Sequence, residues 1–180
     1  LASGRSEMLI SSSGLQSPIG VFDLVHSYRE LGHLGVDLDP LGLVRREPHQ
    51  HLGLEYFNIT EADLDRVVGS GGFEGPTDGT LRDLLDKLAK TYASHIGVEF
   101  TGISDAAQRE WLQKRMEGNY NRPKLTKQQK HAIMFQLVAS EEFEQYLHRV
   151  FVGAKRFSLE GAEALVPLLN TIVDQGAAHG

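Results

Sequence analysis

The sequence predicts a mainly α protein, a bundle of capped helices. Three observations predict it. Ser or Thr repeatedly stands just ahead of an apolar run, where its side chain can cap a helix. Within those runs apolar residues recur at helical spacing, three and four apart. Almost nothing alternates with the period of two that marks a strand.

Leu1 to Ser17 is rich in Ser and Gly and reads as a flexible arm. Ser17-Pro18 suits a helix start, and Val21, Phe22, Val25, Tyr28 and Leu31 then share one face. Gly32 ends that helix, and His33 to Gly42 is a loop turned by Asp39-Pro40. His33 reads as a hydrogen-bonded loop residue rather than a catalytic one. His49 and His51 alternate, but no third ligand is close in sequence, so no metal is assigned to them.

Thr60 caps a short helix over Glu61 to Val68, with Asp63 completing a capping box and Ile59 and Leu64 spaced as a staple. Gly69 to Gly79 is Gly-rich but lacks Gly-Lys-Ser/Thr and a leading strand. It reads as a flexible surface loop, not a phosphate loop. Thr80 caps a helix with a stripe of Leu81, Leu84, Leu85, Leu88, Tyr92 and Ile96, stopped by Gly97. Ser104 caps the next, through Met116, with Trp111, Leu112 and Met116 facing the core.

Thr126 and Gln129 box a helix through Val138, and Lys124, Lys127 and Lys130 form a solvated face. Ser140 caps another helix, with Phe143, Tyr146, Leu147, Val150 and Phe151 turned inward. Gly153 then leads into Lys155 and Arg156, which stand just before Ser158. Ser158 is placed to cap the last helix, and Pro167 inside that helix should kink it. Two cations at a helix N-terminus can bind an anion. The commoner reading of the same spacing is a structural ion-pair partner beside a solvated lysine.

The 180 residues suit one domain, or one and a fragment. A net charge of -6 argues against nucleic acid, which needs a basic face. The absence of cysteine excludes disulfides, thiolate zinc sites and cysteine nucleophiles. No apolar run approaches membrane-spanning length. Leu1 and the abrupt Gly180 read as the ends of a segment cut from a longer protein.

Three blocks resemble a known family. Gly153 to Leu169, GAKRFSLEGAEALVPLL, is similar to the segment leading into the catalytic region of the first component of the 2-oxoglutarate dehydrogenase complex. Tyr28 to Gly42, YRELGHLGVDLDPLG, resembles that family's Y-R-x-x-G-H and D-P-L-G. Tyr92 to Trp111, opening YASHIGVEF and closing on Glu110-Trp111, resembles a third block. They occur in the family's order, so the resemblance covers roughly residues 20–180.

The resemblance implies the N-terminal helical region of a thiamine-diphosphate-binding α/β enzyme. After the arm at 1–17, it implies a helical domain at 18–152 and the start of the cofactor-binding domain at 153–180. The implied reaction is oxidative decarboxylation of 2-oxoglutarate, with the succinyl group passing to a lipoyl arm. Thiamine diphosphate and magnesium are the implied cofactors. The implied partners are a dihydrolipoyl succinyltransferase core and a second copy of the chain, with no nucleic acid and no membrane. The implied compartment is the bacterial cytoplasm or the mitochondrial matrix.

By the same resemblance Arg156 matches an arginine that contacts the cofactor, and Phe157 a neighbour lining the active site. Val44, Arg45 and Arg46 stand where some members carry a calcium-binding acidic run, and Gly102 where members often have histidine. The family's catalytic histidines and G-D-G…N metal motif do not occur in the chain, so the segment alone should be inactive. A relative acting on 2-oxoadipate, a non-oxidative decarboxylase and a non-catalytic helical interaction module remain open alternatives.

Overall fold

The computed structural model describes residues 20–39, 41–43 and 49–179. Among them it contains five α-helices and no strand: α1 Val21–Leu31, α2 Leu81–Tyr92, α3 Ala106–Glu117, α4 Lys127–Val150 and α5 Leu165–His179. The chain forms two compact units, Leu1–Pro123 and Lys124–Gly180.

The first unit holds a hydrophobic core. Leu81, Leu84 and Leu88 of α2 follow the three-then-four spacing and are fully buried with Tyr92. They pack on Leu24, Val25 and Tyr28 of α1. Each such leucine contributes about 1.5–3 kcal/mol on burial. Single turns of 3-10 helix at Gly32–Gly35, Gln50–Leu52, Leu54–Phe57 and Glu61–Asp63 carry the chain between α1 and α2. They deliver Phe57, Ile59 and Leu64 to the same core.

Several expected elements differ in extent. Ser17-Pro18 and the flexible arm lie outside the described residues, and Gly20 occupies the N-cap of α1. The Thr60–Asp63 capping box forms, but it starts only the turn Glu61–Asp63 instead of a helix to Val68. The chain leaves that turn because Val67 bridges to Thr80, with Val68 N–H donating to Gly79 O at 2.7 Å. Helix α2 stops at Tyr92, so Ile96 is exposed rather than part of the stripe.

Asp105, not Ser104, caps α3, accepting from Ala107 N and Gln108 N at 2.8 and 3.2 Å. Asp105→Ala removes a negative charge and two bonds from that N-terminus. It is expected to lower stability by about 1 kcal/mol, read from a urea unfolding midpoint. Trp111 is 59% exposed with the Arg115 guanidinium 5.3 Å from its ring, so it belongs to the surface and not to the core.

The Gly-rich loop is anchored rather than free. Phe73 within it is 4% exposed, and Gly71, Gly72 and Gly79 take positive φ. A Cβ on Gly75 would lie 2.5 Å from Glu117 O.

In the second unit the two helices expected before and after Ser140 are one, α4, of 24 residues. Ser140 is not a cap: its hydroxyl donates to Gln136 O at 2.8 Å, the i−4 bond a helix interior permits. Phe143, Tyr146, Val150 and Phe151 are exposed in this unit instead of facing inward. Helix α5 opens at Leu165, so Ser158 does not cap it. Pro167 therefore sits in the first turn, where its missing N–H has no intrahelical partner to lose, and no kink is required.

Candidate functional site

The predicted site residues, Arg156 and Phe157, lie in the connection between α4 and α5. Thr126 and Gln129 start α4 with a reciprocal capping box, Thr126 N donating to Gln129 Oε1 at 2.8 Å and Gln129 N to Thr126 Oγ1 at 3.2 Å. Along the helix Glu144 and His148 stand four residues apart, on one face. After Val150 the chain reverses through Gly153, whose φ of 81° suits glycine. That reversal returns residues 154–159 along the face carrying Glu144 and His148.

Glu144 grips the returning segment. Its Oε2 accepts from the Ser158 hydroxyl at 2.5 Å and its Oε1 from the Leu159 N–H at 2.6 Å. Ser158 in turn accepts from Glu160 N at 3.0 Å, so it caps a local turn where a helix was expected. The Leu159 N–H and the Ser158 hydroxyl, with Arg156 adding attraction, hold the Glu144 carboxyl below the usual carboxylate range.

Arg156 Nη2 lies against His148 Nδ1. Lys155, Arg156 and Phe157 are all exposed, Phe157 completely. Neither cation lies within salt-bridge distance of a carboxylate among the described residues. The helix-terminus part of the anion-site expectation fails, because Leu165 opens α5 nine residues beyond Arg156. What remains is an exposed guanidinium and ammonium, the donor types that suit a diphosphate.

Exposed cations also stand on α4, where Lys127 and His131 line a shallow depression, but these residues carry no match to a family motif. His49 and His51 pack edge to face, 5.1 Å between centroids, and His49 Nδ1 accepts from His51 N. No three His, Asp or Glu side chains gather as a metal cluster among the described residues. A depression lined by Asp37, Leu38, Asp39, Leu41, Gly42 and His95 carries carboxylates and would repel an anion. The expected calcium-site residues Val44, Arg45 and Arg46 lie outside the described residues.

Among the described residues, the first unit holds a buried ionic cluster. Glu117, the last residue of α3, has no exposed side-chain surface. Arg29 Nε donates to its Oε1 at 2.8 Å and Arg29 Nη2 to its Oε2 at 3.1 Å. The Tyr92 hydroxyl donates to Oε1 at 2.6 Å and Glu74 N to Oε2 at 2.6 Å. Arg29 also reaches Gly72 O at 2.7 Å. Burial alone would lower the Arg29 pKa, but the bonds and charge of Glu117 raise it above its ordinary value. Every oxygen of the carboxylate is satisfied, so the cluster is closed to a ligand and acts in packing.

No protein-family profile matches the chain. Similar proteins do. A "Multifunctional 2-oxoglutarate metabolism enzyme" of Mycolicibacterium vanbaalenii is 43% identical over 162 residues, 89% of this chain. The "2-oxoglutarate dehydrogenase E1/E2 component" of Corynebacterium glutamicum is 40% identical over 175 residues, 95% of this chain. The "2-oxoglutarate dehydrogenase E1 component" of Azotobacter vinelandii is 37% identical over 172 residues, again 95%.

Over this span the chain is similar to 2-oxoglutarate dehydrogenase E1 components. It spans only 13–18% of the length of these three relatives. Two of the blocks that carry the family resemblance meet in the buried cluster, through Arg29 of the first and Tyr92 of the second. In this chain Arg29 and Tyr92 thus serve packing. The block Gly153 to Leu169, with Lys155 and Arg156, stays at the surface. Sequence reasoning missed both Glu117 and Glu144. Glu117 gave one signal, an acid at a helix C-terminus where the macrodipole disfavours it. Glu144 gave none beyond its helical spacing from His148.

Among the described residues no helix is long and apolar enough to cross a membrane.

Proposed function

We propose that the chain is part of a 2-oxoglutarate dehydrogenase first component that uses thiamine diphosphate and magnesium, with Arg156 contacting the cofactor's diphosphate. The observation that carries the reading is the identity of 37–43% to three such proteins across nearly the whole chain. Their names specify 2-oxoglutarate, which favours it over 2-oxoadipate. The exposed apolar residues of α4 would also suit a non-catalytic interaction module, but that reading is not better supported than the enzyme segment.

Bound thiamine diphosphate supplies the electron sink for loss of carbon dioxide from a 2-oxo acid. The residues of this chain bind and orient. Arg156 would hold the cofactor's diphosphate with its planar fork, and Lys155 would add a second positive charge. Phe157, fully exposed here, would cover apolar surface beside the cofactor. No magnesium ligand is assigned within this chain, since the family's G-D-G…N metal motif does not occur in it. A succinyltransferase core and a second copy of the chain complete the proposal, and the bacterial relatives favour the bacterial cytoplasm.

The chain of 180 residues is expected to release no carbon dioxide from 2-oxoglutarate with thiamine diphosphate and magnesium. In the full-length enzyme, Arg156→Ala is expected to weaken thiamine diphosphate binding about tenfold or more, the loss of a charge-assisted bond. An unchanged dissociation constant, measured by calorimetry, would remove Arg156 from the site.

A further inference from the structure

Arg156 is a long side chain on an exposed connection. Left to itself, such an arginine samples many rotamers, and ordering it opposes any binding it makes. The connection here is not left to itself. Glu144 takes the Ser158 hydroxyl at 2.5 Å and the Leu159 N–H at 2.6 Å, two and three residues after Arg156. His148, one turn further along α4, meets Arg156 Nη2 directly. Gly153 turns the chain on the other side of Arg156. The arginine is therefore bracketed by a turn and a carboxylate latch, both anchored to one helix.

We infer that Glu144 is a positioning residue for the cofactor's diphosphate, acting by fixing the backbone that presents Arg156. The inference rests on the reading of Arg156 as a diphosphate contact. Two physical effects oppose each other at Glu144. Its negative charge lies near the site and repels an anion. Its two hydrogen bonds pre-organise the segment and so favour the anion indirectly. Charge at an exposed position is screened by salt, whereas a lost conformational restraint is not. The positioning effect wins, and the two effects predict opposite signs.

The test uses full-length enzyme, with dissociation constants for thiamine diphosphate plus magnesium, and for inorganic pyrophosphate, taken by calorimetry. Glu144→Ala is expected to weaken both about tenfold, the scale of one charge-assisted bond. Glu144→Gln keeps an oxygen for Leu159 N–H and is expected to bind within about threefold of the parent. In an Arg156→Ala background Glu144→Ala should add nothing, because the residue acts through Arg156. Unchanged or tighter binding by Glu144→Ala would overturn the inference, and so would a full, additive loss in the Arg156→Ala background. An Arg156→Ala enzyme that binds as the parent does would instead overturn the reading of Arg156, and the role of Glu144 with it.

Discussion

Glu117→Ala is expected to cost about 3–5 kcal/mol, a large part of the ~5–15 kcal/mol that holds a domain of this size together. The carboxylate is wholly buried and satisfies the Arg29 guanidinium, the Tyr92 hydroxyl and the Glu74 N–H at once. Truncation leaves the Tyr92 hydroxyl and the Glu74 N–H without an acceptor and Arg29 with only Gly72 O, and the Arg29 side chain, 11% exposed, cannot turn to water without opening the core. A urea titration followed by circular dichroism reads the loss, and a midpoint shift under 1 kcal/mol would show the cluster to be incidental. Arg29→Met combined with Glu117→Leu removes both charges and is expected to recover only part of the loss, since Tyr92 and Glu74 stay unpaired.

The same cluster sets an alkaline limit. Burial, then the neighbouring Glu117 charge, pushes the Tyr92 pKa far above its ordinary value, and burial raises that of Tyr28. A phenol raised in the folded state holds its proton more tightly there than in the unfolded chain. Its contribution is complete below the unfolded pKa of about 10 and is lost as pH rises beyond it. Stability should fall above about pH 10, less steeply in Tyr92→Phe.

Gly32→Ala is expected to be nearly as damaging, by about 2–3 kcal/mol. The φ of Gly32 is -55°, so alanine is conformationally acceptable. The obstacle is space. A Cβ there would lie 2.6 Å from Tyr92 Cβ and 2.9 Å from Tyr92 O, neither of which can swing aside. Helices α1 and α2 must part, and the Tyr92 hydroxyl is drawn away from Glu117. Gly69→Ala is the control: nothing lies within 4 Å of its added methyl, so it should be neutral or slightly stabilising. Equal midpoints for the two variants would exclude close helix packing as the reason for Gly32.

The positions of α1 to α3 and the start of α4 were legible because their signals are local. Caps at Thr80 and Thr126 and the stripe Leu81, Leu84, Leu88 need only neighbours in sequence. Errors arose where one local signal had two uses. Ser140 resembles a cap, yet it bonds within α4 to Gln136 O. Ser158 followed by Leu159 resembles a helix start, but Glu144 claims both residues and delays α5 to Leu165. Pro167 resembles an interior kink, yet it stands in the first turn of α5. Within the candidate site, Arg156 and Phe157 were readable only through family resemblance, and the latch was not readable at all. A carboxylate 14 residues before its hydroxyl partner carries no mark in sequence.

The Arg29–Glu117 pair also orders events in time. The carboxylate follows its guanidinium by 88 residues along the chain. At a synthesis rate of roughly 5–20 residues per second, Arg29 emerges about 4–18 s before Glu117 exists. Tyr92 precedes Glu117 by 25 residues, so for only the last ~1–5 s can α1 and a complete α2 touch through leucines while the Tyr92 hydroxyl and Glu74 N–H lack their carboxylate acceptor. Completion of this buried cluster waits on the end of α3 and a single late side chain.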